Sequence, residues 1–391
     1  MRVLIAFDKF KDALSAAEAC AVAATTLRIQ SPDWPLDLCP LTDGGEGFGE
    51  TLTTAAHGEI RTPLVTGPRG QPIKARLGFI TANNVPANAT RHLALENNPS
   101  VINAPLAIVD LSSASGLALL APSERDPWQT STDGTGELVR LAAEAGAGTI
   151  LMGVGGSATN DLGLGALAAL GFKFYDGAGT DLGVPTPARW SQIQRIDRSG
   201  AKNIPPIFIA CDVTNPLLGP RGATTTFGPQ KGLRAADIAA LEAQAVRLAT
   251  LLCATCEQPL TLAQTPGAGA AGGIAFGLMV AYGAKLVPGY DLVSDWLDLP
   301  SRLQAADLII TGEGRFDLTS LQGKGPGSLV SAARRLGKPV HVFAGSLGLP
   351  ADRELHAITP ADLPLAVALP RTAELLASAI ARERLDQLSL R

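Results

Sequence analysis

Apolar positions in this chain come in short unbroken blocks, and each block runs into a polar or glycine-rich loop. Val3-Leu4-Ile5-Ala6-Phe7, Ala107-Ile108-Val109, Thr149-Ile150-Leu151-Met152, Ile207-Phe208-Ile209-Ala210, Leu308-Ile309-Ile310 and Val340-His341-Val342-Phe343 are the clearest. Continuous apolar runs bounded by turn residues predict buried strands. A helix is expected between about Ser15 and Ile29, and another through Leu241–Leu252. Leu162, Leu164, Leu167 and Leu170 are spaced for one helical face. A short strand is expected near Trp34–Cys39 and hairpins between Ile60 and Ile80. Thr81–Pro105, rich in Asn, Ala and Pro, reads as an excursion.

The two ends of the chain show the same strand–loop–helix alternation, and the middle shows a different one. This predicts an α/β protein with a Rossmann-like domain formed by both termini, 1–64 and 290–391. A second α/β domain, 65–289, is inserted in the middle, with a cleft between the two. In open α/β sheets ligands sit outside the carboxyl ends of the strands, so the loops there are the candidates for chemistry.

The most informative loop is Gly153-Val154-Gly155-Gly156-Ser157-Ala158-Thr159-Asn160-Asp161. Glycines let backbone N–H groups approach an anion, and a helix N-terminus adds unsatisfied donors, so this stretch is expected to hold phosphate at a strand-to-helix turn. Capping by Ser157 or Thr159 is the purely structural alternative. Gly153–Ala158 also fits G-x-G-x-x-A, with Asp176 ending an apparent strand Gly171–Tyr175, which imitates a dinucleotide-binding fingerprint. The Walker A pattern is absent, since Gly323-Lys324 is followed by Gly325. Asp8-Lys9-Phe10-Lys11 and Asp43-Gly44-Gly45-Glu46 each follow a strand and are expected to converge on one crevice.

Composition narrows the class. The 391 residues carry a net charge of −4, which does not suit a nucleic-acid partner. No uninterrupted apolar run approaches the ~20 residues needed to span a bilayer, and Met1–Phe7 reads as a first strand, so a cytoplasmic protein with no membrane partner is expected. Five cysteines do not make a disulfide framework, and Cys253-x-x-Cys256, within a helical pattern, reads as structural rather than zinc-binding. The four histidines suggest no metal motif, which leaves acid–base work to carboxylates and lysines.

Read together, Asp8–Lys11, Asp43–Gly47, Gly153–Asp161, Ala210–Gly222, Phe227–Gly232 and Thr311–Arg315 resemble, in order and along the whole chain, the bacterial glycerate kinase family unrelated to P-loop kinases. The resemblance implies ATP- and Mg²⁺-dependent phosphorylation of D-glycerate, at the 2-position in preference to the 3-position, by a monomer or homodimer. A nicotinamide-dependent oxidoreductase and a non-catalytic small-acid-binding protein are the alternatives. Phosphoryl transfer needs cations and backbone donors, a Mg²⁺ on oxygen ligands and a proton acceptor. Asp161, Asp212, Lys11 and Lys324 are taken as catalytic candidates, and Asp43 and Glu46 as metal ligands. Substrate and phosphate contacts are assigned to Asp8, Lys9, Gly155, Gly156, Ser157, Thr159, Asn160, Asn215, Gly312, Glu313 and Arg315. Departures from the family pattern are Phe7 in place of Pro, Ala13 of Ser or Thr, Asp110 of Glu and Leu162 of Gly. None removes a charged group from the candidate loops.

Overall fold

The computed structural model describes residues 1–94, 104–321, 325–350, 353–383 and 385. It divides into two compact units, Met1–Asp43 with Val293–Arg391, and Gly44–Leu292. The first boundary falls at Asp43/Gly44 rather than at residue 64. The cause is strand Glu59–Arg61, which pairs with Leu77–Ile80 and so ties the segment to the middle unit.

In the terminal unit a five-stranded sheet runs Leu36–Leu38, Val3–Phe7, Leu308–Gly312, Val340–Ala344, Leu355–Ala357, every neighbour parallel. Numbered along the chain this is the doubly wound order 2-1-3-4-5, whose switch point lies between Val3–Phe7 and Leu308–Gly312. Val3–Phe7 is buried on both faces, which is why it reads as an unbroken apolar run. Val3, Ile5, Phe7, Leu308, Ile310 and Phe343 form one core with the inward residues of helices Ala16–Gln30 and Thr372–Arg382. Helix Gly325–Arg335 buries Leu329, Val330 and Ala333. The first helix starts with a capping box: Ser15 Oγ accepts from Glu18 N–H at 3.2 Å and Glu18 Oε2 accepts from Ser15 N–H at 2.8 Å.

The middle unit holds a six-stranded sheet in the order Glu59–Arg61, Leu77–Ile80, Leu106–Asp110, Thr149–Gly153, Ile207–Ala210, Lys285–Val287. Its last four strands are parallel and the first two pair antiparallel. Helix Ile238–Cys256 packs Leu241, Ala245, Leu248, Ala249, Leu252, Cys253 and Cys256 into the core of this unit. Length and composition alone would let this helix cross a membrane, but the buried stripe is that of a core helix. Burial pushes the Cys253 thiol up to about 11.

Two sequence expectations fail here. Gly153–Asp161 does not open a helix: Leu162 and Gly163 take left-handed φ of 54° and 74°, and the helix begins only at Leu164 and ends at Ala169. The loop is therefore a long irregular cradle, and neither Ser157 nor Thr159 is a cap. The strand before Asp176 is Lys173–Tyr175, paired antiparallel with Arg195–Asp197 in a separate ribbon. Asp176 is half-buried, and its Oδ1 accepts from the N–H groups of Ala178 and Thr180 at 2.9 and 2.8 Å. An acid in such a turn cannot serve as the ribose-binding end of a dinucleotide fold, so that alternative is dropped.

Candidate active site

The carboxyl ends of the terminal unit's central strands gather acids at the switch point. Asp8, just past Val3–Phe7, is buried; its Oδ1 accepts from Lys9 N–H at 2.7 Å, with Lys9 Nζ 3.7 Å away. The same Nζ stands 3.3 Å from Asp43 Oδ1. Glu313 follows Leu308–Gly312, and its Oε1 is buried with no hydrogen-bond partner. Burial, partly offset by Lys9 and reinforced by Asp43, raises the Asp8 pKa to about 6. Burial, with Asp8, Asp43 and Asp317 adding to it, raises Glu313 to about 7. A Cβ on Gly312 would stand 1.8 Å from the Phe343 carbonyl oxygen, so only glycine lets these strands run this close.

Other predicted residues of this unit are more peripheral. Arg315 is exposed and pairs with Asp317, Nε to Oδ2 at 3.0 Å. Lys11 is exposed on the turn after Phe10. Lys324 lies outside the described residues. Among the described residues no three His, Cys, Asp or Glu side chains are arranged as a preformed metal cage. Mg²⁺ does not need one, since it is commonly held by one or two carboxylates with phosphate oxygens and water.

In the middle unit the Gly155–Asn160 loop lies past the end of strand Thr149–Gly153. Gly155 N–H donates to the Gly44 carbonyl at 2.9 Å, and a Cβ on Gly155 would come within 2.5 Å of Gly45 Cα. The glycine pair at 44–45 and the glycine at 155 thus exist for a close backbone approach. Gly156 has φ +71°. Among the described residues the N–H groups of Gly156 and Ser157 find no acceptor, which suits them to an anion. Thr159 Oγ1 and Asn160 Oδ1 are buried without partners, while Asn160 Nδ2 donates to Thr224 Oγ1 at 3.1 Å. Glu46 is exposed on its turn.

Asp161, expected from the sequence to be catalytic, makes its contacts within the fold. Fully buried, its Oδ2 accepts from Thr132 N–H at 2.7 Å, Thr132 Oγ1 at 2.8 Å and Gly165 N–H at 3.3 Å, and its Oδ1 from Gly163 N–H at 3.1 Å. Those donors fully engage Oδ2 and satisfy N–H groups at the start of the helix Leu164–Ala169, leaving Oδ1 with one donor. Burial raises its pKa and the donors pull it down. Asp110 has a similar part: its side chain accepts from Gly47 N–H, Ser112 N–H and Ser112 Oγ at 3.2, 3.1 and 2.6 Å. Asn215 Nδ2 donates to the Arg221 carbonyl at 2.7 Å, and its own carbonyl receives the N–H groups of Gly267 and Gly269, so it ties loops together. Asp212, at the end of strand Ile207–Ala210, is half-buried and accepts from Tyr290 N–H at 3.0 Å.

Comparison with known proteins decides the family. The sequence profile of the glycerate kinase family matches residues 3–385. The chain belongs to the glycerate kinase family. It is accordingly a phosphotransferase that acts on an alcohol group. It is 37% identical to a glycerate kinase of Bacillus subtilis (strain 168) over 96% of this chain and 94% of that protein. It is 37% identical to a glycerate 2-kinase of Escherichia coli (strain K12) over 89% and 86% of the two chains. The crystal structure of the glycerate kinase 2 candidate of Salmonella typhimurium LT2 superposes with a TM-score of 0.75 at 35% identity, covering 100% of this chain and 98% of that one.

For this glycerate kinase family member, sequence reading missed Lys231 and Thr132. Lys231 is buried, and its Nζ donates to Ser157 Oγ at 2.8 Å and to the Thr159 carbonyl at 2.6 Å. Its signal in the sequence was a lysine in the glycine-bounded turn Phe227–Gly232. Nothing local marked Thr132 as the partner of Asp161, because the two are joined only by the tertiary fold.

Proposed function

We propose that this protein transfers a phosphoryl group from ATP to the 2-hydroxyl of D-glycerate, with Mg²⁺ as the metal, in the cytoplasm. The observation that carries the reading is the acid group at the switch point of the terminal sheet. Asp8 and Asp43 share the Lys9 ammonium, and Glu313 feels the charge of both; Asp8 and Glu313 have raised pKa values, and Glu313 has a buried oxygen lacking a partner. Like charges brought this close are costly without a cation, and the oxygen-only donor set is one that suits Mg²⁺. Asp8 and Asp43 would hold the metal together with phosphate oxygens and water, and Lys9 would pair with a phosphate. Bound there, Mg²⁺ would neutralise phosphate charge that develops during transfer.

In the middle unit the N–H groups of Gly156 and Ser157 and the Ser157 hydroxyl would hold a phosphoryl group. Asp212 would accept the substrate hydroxyl proton. The choice of the 2-position follows the E. coli relative, a glycerate 2-kinase at 37% identity. The test is ADP formation with D-glycerate, ATP and Mg²⁺, followed by phosphorus NMR of the product. A phosphorus coupled to one proton marks the 2-phosphate, and coupling to two protons would mark the 3-phosphate and refute that part of the reading.

A further inference from the structure

Lys231 is the group the proposed chemistry does not yet use. It ends the turn Pro229–Lys231, and Gly232 follows at φ +96°, where a Cβ would stand 2.0 Å from the Arg125 carbonyl oxygen. That glycine allows the turn that delivers the lysine inward. The side chain is only 2% exposed, and burial pushes its ammonium down to about 7 against the opposing pull of Asp161. An ammonium taken out of water is expensive, and an apolar side chain of the same length would stabilise the fold as well or better. Stability alone therefore gives no reason for a lysine here.

Hydrogen-bond accounting gives one. In its charged form, which prevails below about pH 7, Lys231 can only donate, so Ser157 Oγ gives it a lone pair and keeps its own proton. Among the described residues that proton has no acceptor, nor do the Gly156 and Ser157 N–H groups beside it. The second bond, to the Thr159 carbonyl, fixes the far side of the same loop. Independently, Thr159 Oγ1 and Asn160 Oδ1 are buried and unpartnered, as polar atoms are when they await a ligand.

We propose that Lys231 is the positioning residue of the Gly155–Asn160 loop, holding the Ser157 hydroxyl as a donor aimed at a phosphoryl group. The inference rests on the phosphotransferase reading and adds to it the residue that organises the anion site. The phosphoryl group could come from the nucleotide or from phosphorylated product, and the experiment separates them.

Wild type, Lys231→Met, Ser157→Ala and the double variant are titrated calorimetrically with MgADP and, separately, with 2-phosphoglycerate, alongside urea unfolding. The expected result is a Lys231→Met protein with an undiminished urea midpoint and about 10-fold weaker binding of one of the two ligands, which identifies the source. Ser157→Ala should lose a similar factor, and the double variant little more, because the lysine acts through the serine. Unchanged affinity for both ligands in Lys231→Met, or additive losses in the double variant, would overturn the proposal. If Lys231→Met does not fold, Ser157→Ala decides alone, and unchanged affinity there overturns it. A wild type that binds neither ligand also overturns it. A wild type that binds MgADP but releases no ADP with glycerate rejects the functional reading and leaves the role of Lys231 to be judged by the variants.

Discussion

Replacing Asp161 should damage the fold before it damages the chemistry. In Asp161→Ala the N–H groups of Thr132, Gly163 and Gly165, with the Thr132 hydroxyl, lose their acceptor in a site closed to water. Each buried donor left without a partner costs about 1–3 kcal/mol. Part of that is returned because a buried carboxylate is itself removed, so a net loss of about 3 kcal/mol is expected. In Asp161→Asn the amide oxygen can keep the three donors at the Oδ2 position, but the NH₂ then faces Gly163 N–H. A loss of about 1–2 kcal/mol follows. The assay is urea unfolding joined to hydrogen exchange on the peptide that contains Gly163 and Gly165, whose amides should exchange at least 10-fold faster in Asp161→Asn. A metal ligand or general base would behave differently: the Asn variant would keep its stability, lose activity about 100-fold, and in the ligand case recover with added Mg²⁺. Wild-type exchange and an unchanged midpoint in Asp161→Asn would refute the capping role.

Other outcomes follow from the same geometry. Asp8 and Glu313 have folded pKa values of about 6 and 7, above their unfolded values, so the folded protein holds extra protons and metal-free stability should fall as pH rises from about 4 through 7. Glu313→Gln should remove about 2 kcal/mol of that loss at pH 8 and flatten the dependence in EDTA, and a slope equal to wild type would count against it. Asp43→Asn should raise the Mg²⁺ concentration needed for half-maximal rate, and an unchanged Mg²⁺ requirement would remove Asp43 from the metal site. Gly155→Ala puts a Cβ 2.5 Å from Gly45 Cα, so the two loops must part, and activity should fall more than 10-fold while a Gly177→Ala control, where a Cβ meets its nearest atom at 3.8 Å, keeps its rate. Asp212→Asn should lower kcat about 100-fold without rescue by Mg²⁺ if Asp212 takes the proton, and near-normal kcat would end that assignment.

The strands were legible because parallel strands covered on both faces leave unbroken apolar runs, as at Val3–Phe7 and Thr149–Gly153. The loops at their carboxyl ends were legible as glycines and acids in register with those runs. What sequence could not carry was the partner of each polar group. Asp161 sits in the same polar string as Ser157 and Thr159, and only the fold shows that its carboxylate accepts from Thr132 and a helix start. The left-handed Leu162 hid the true helix start, because a β-branch-free leucine in an apolar periodic string reads as helix. Asp176 followed an aromatic run that looks like a parallel strand, but a hairpin ribbon claims it. Glu313 was read as a substrate contact, and the charge of Asp8 and Asp43 reaches it only because strands from opposite ends of the chain lie side by side.

The central claim is most directly tested by incubating the purified protein with D-glycerate, ATP and Mg²⁺ and following ADP release. The account predicts ADP formed in step with a phosphoglycerate, stopped by EDTA, and reduced at least 100-fold in Asp8→Asn. Folded protein that releases no ADP in response to D-glycerate, or that does so equally well in EDTA and in the Asp8→Asn variant, would contradict it.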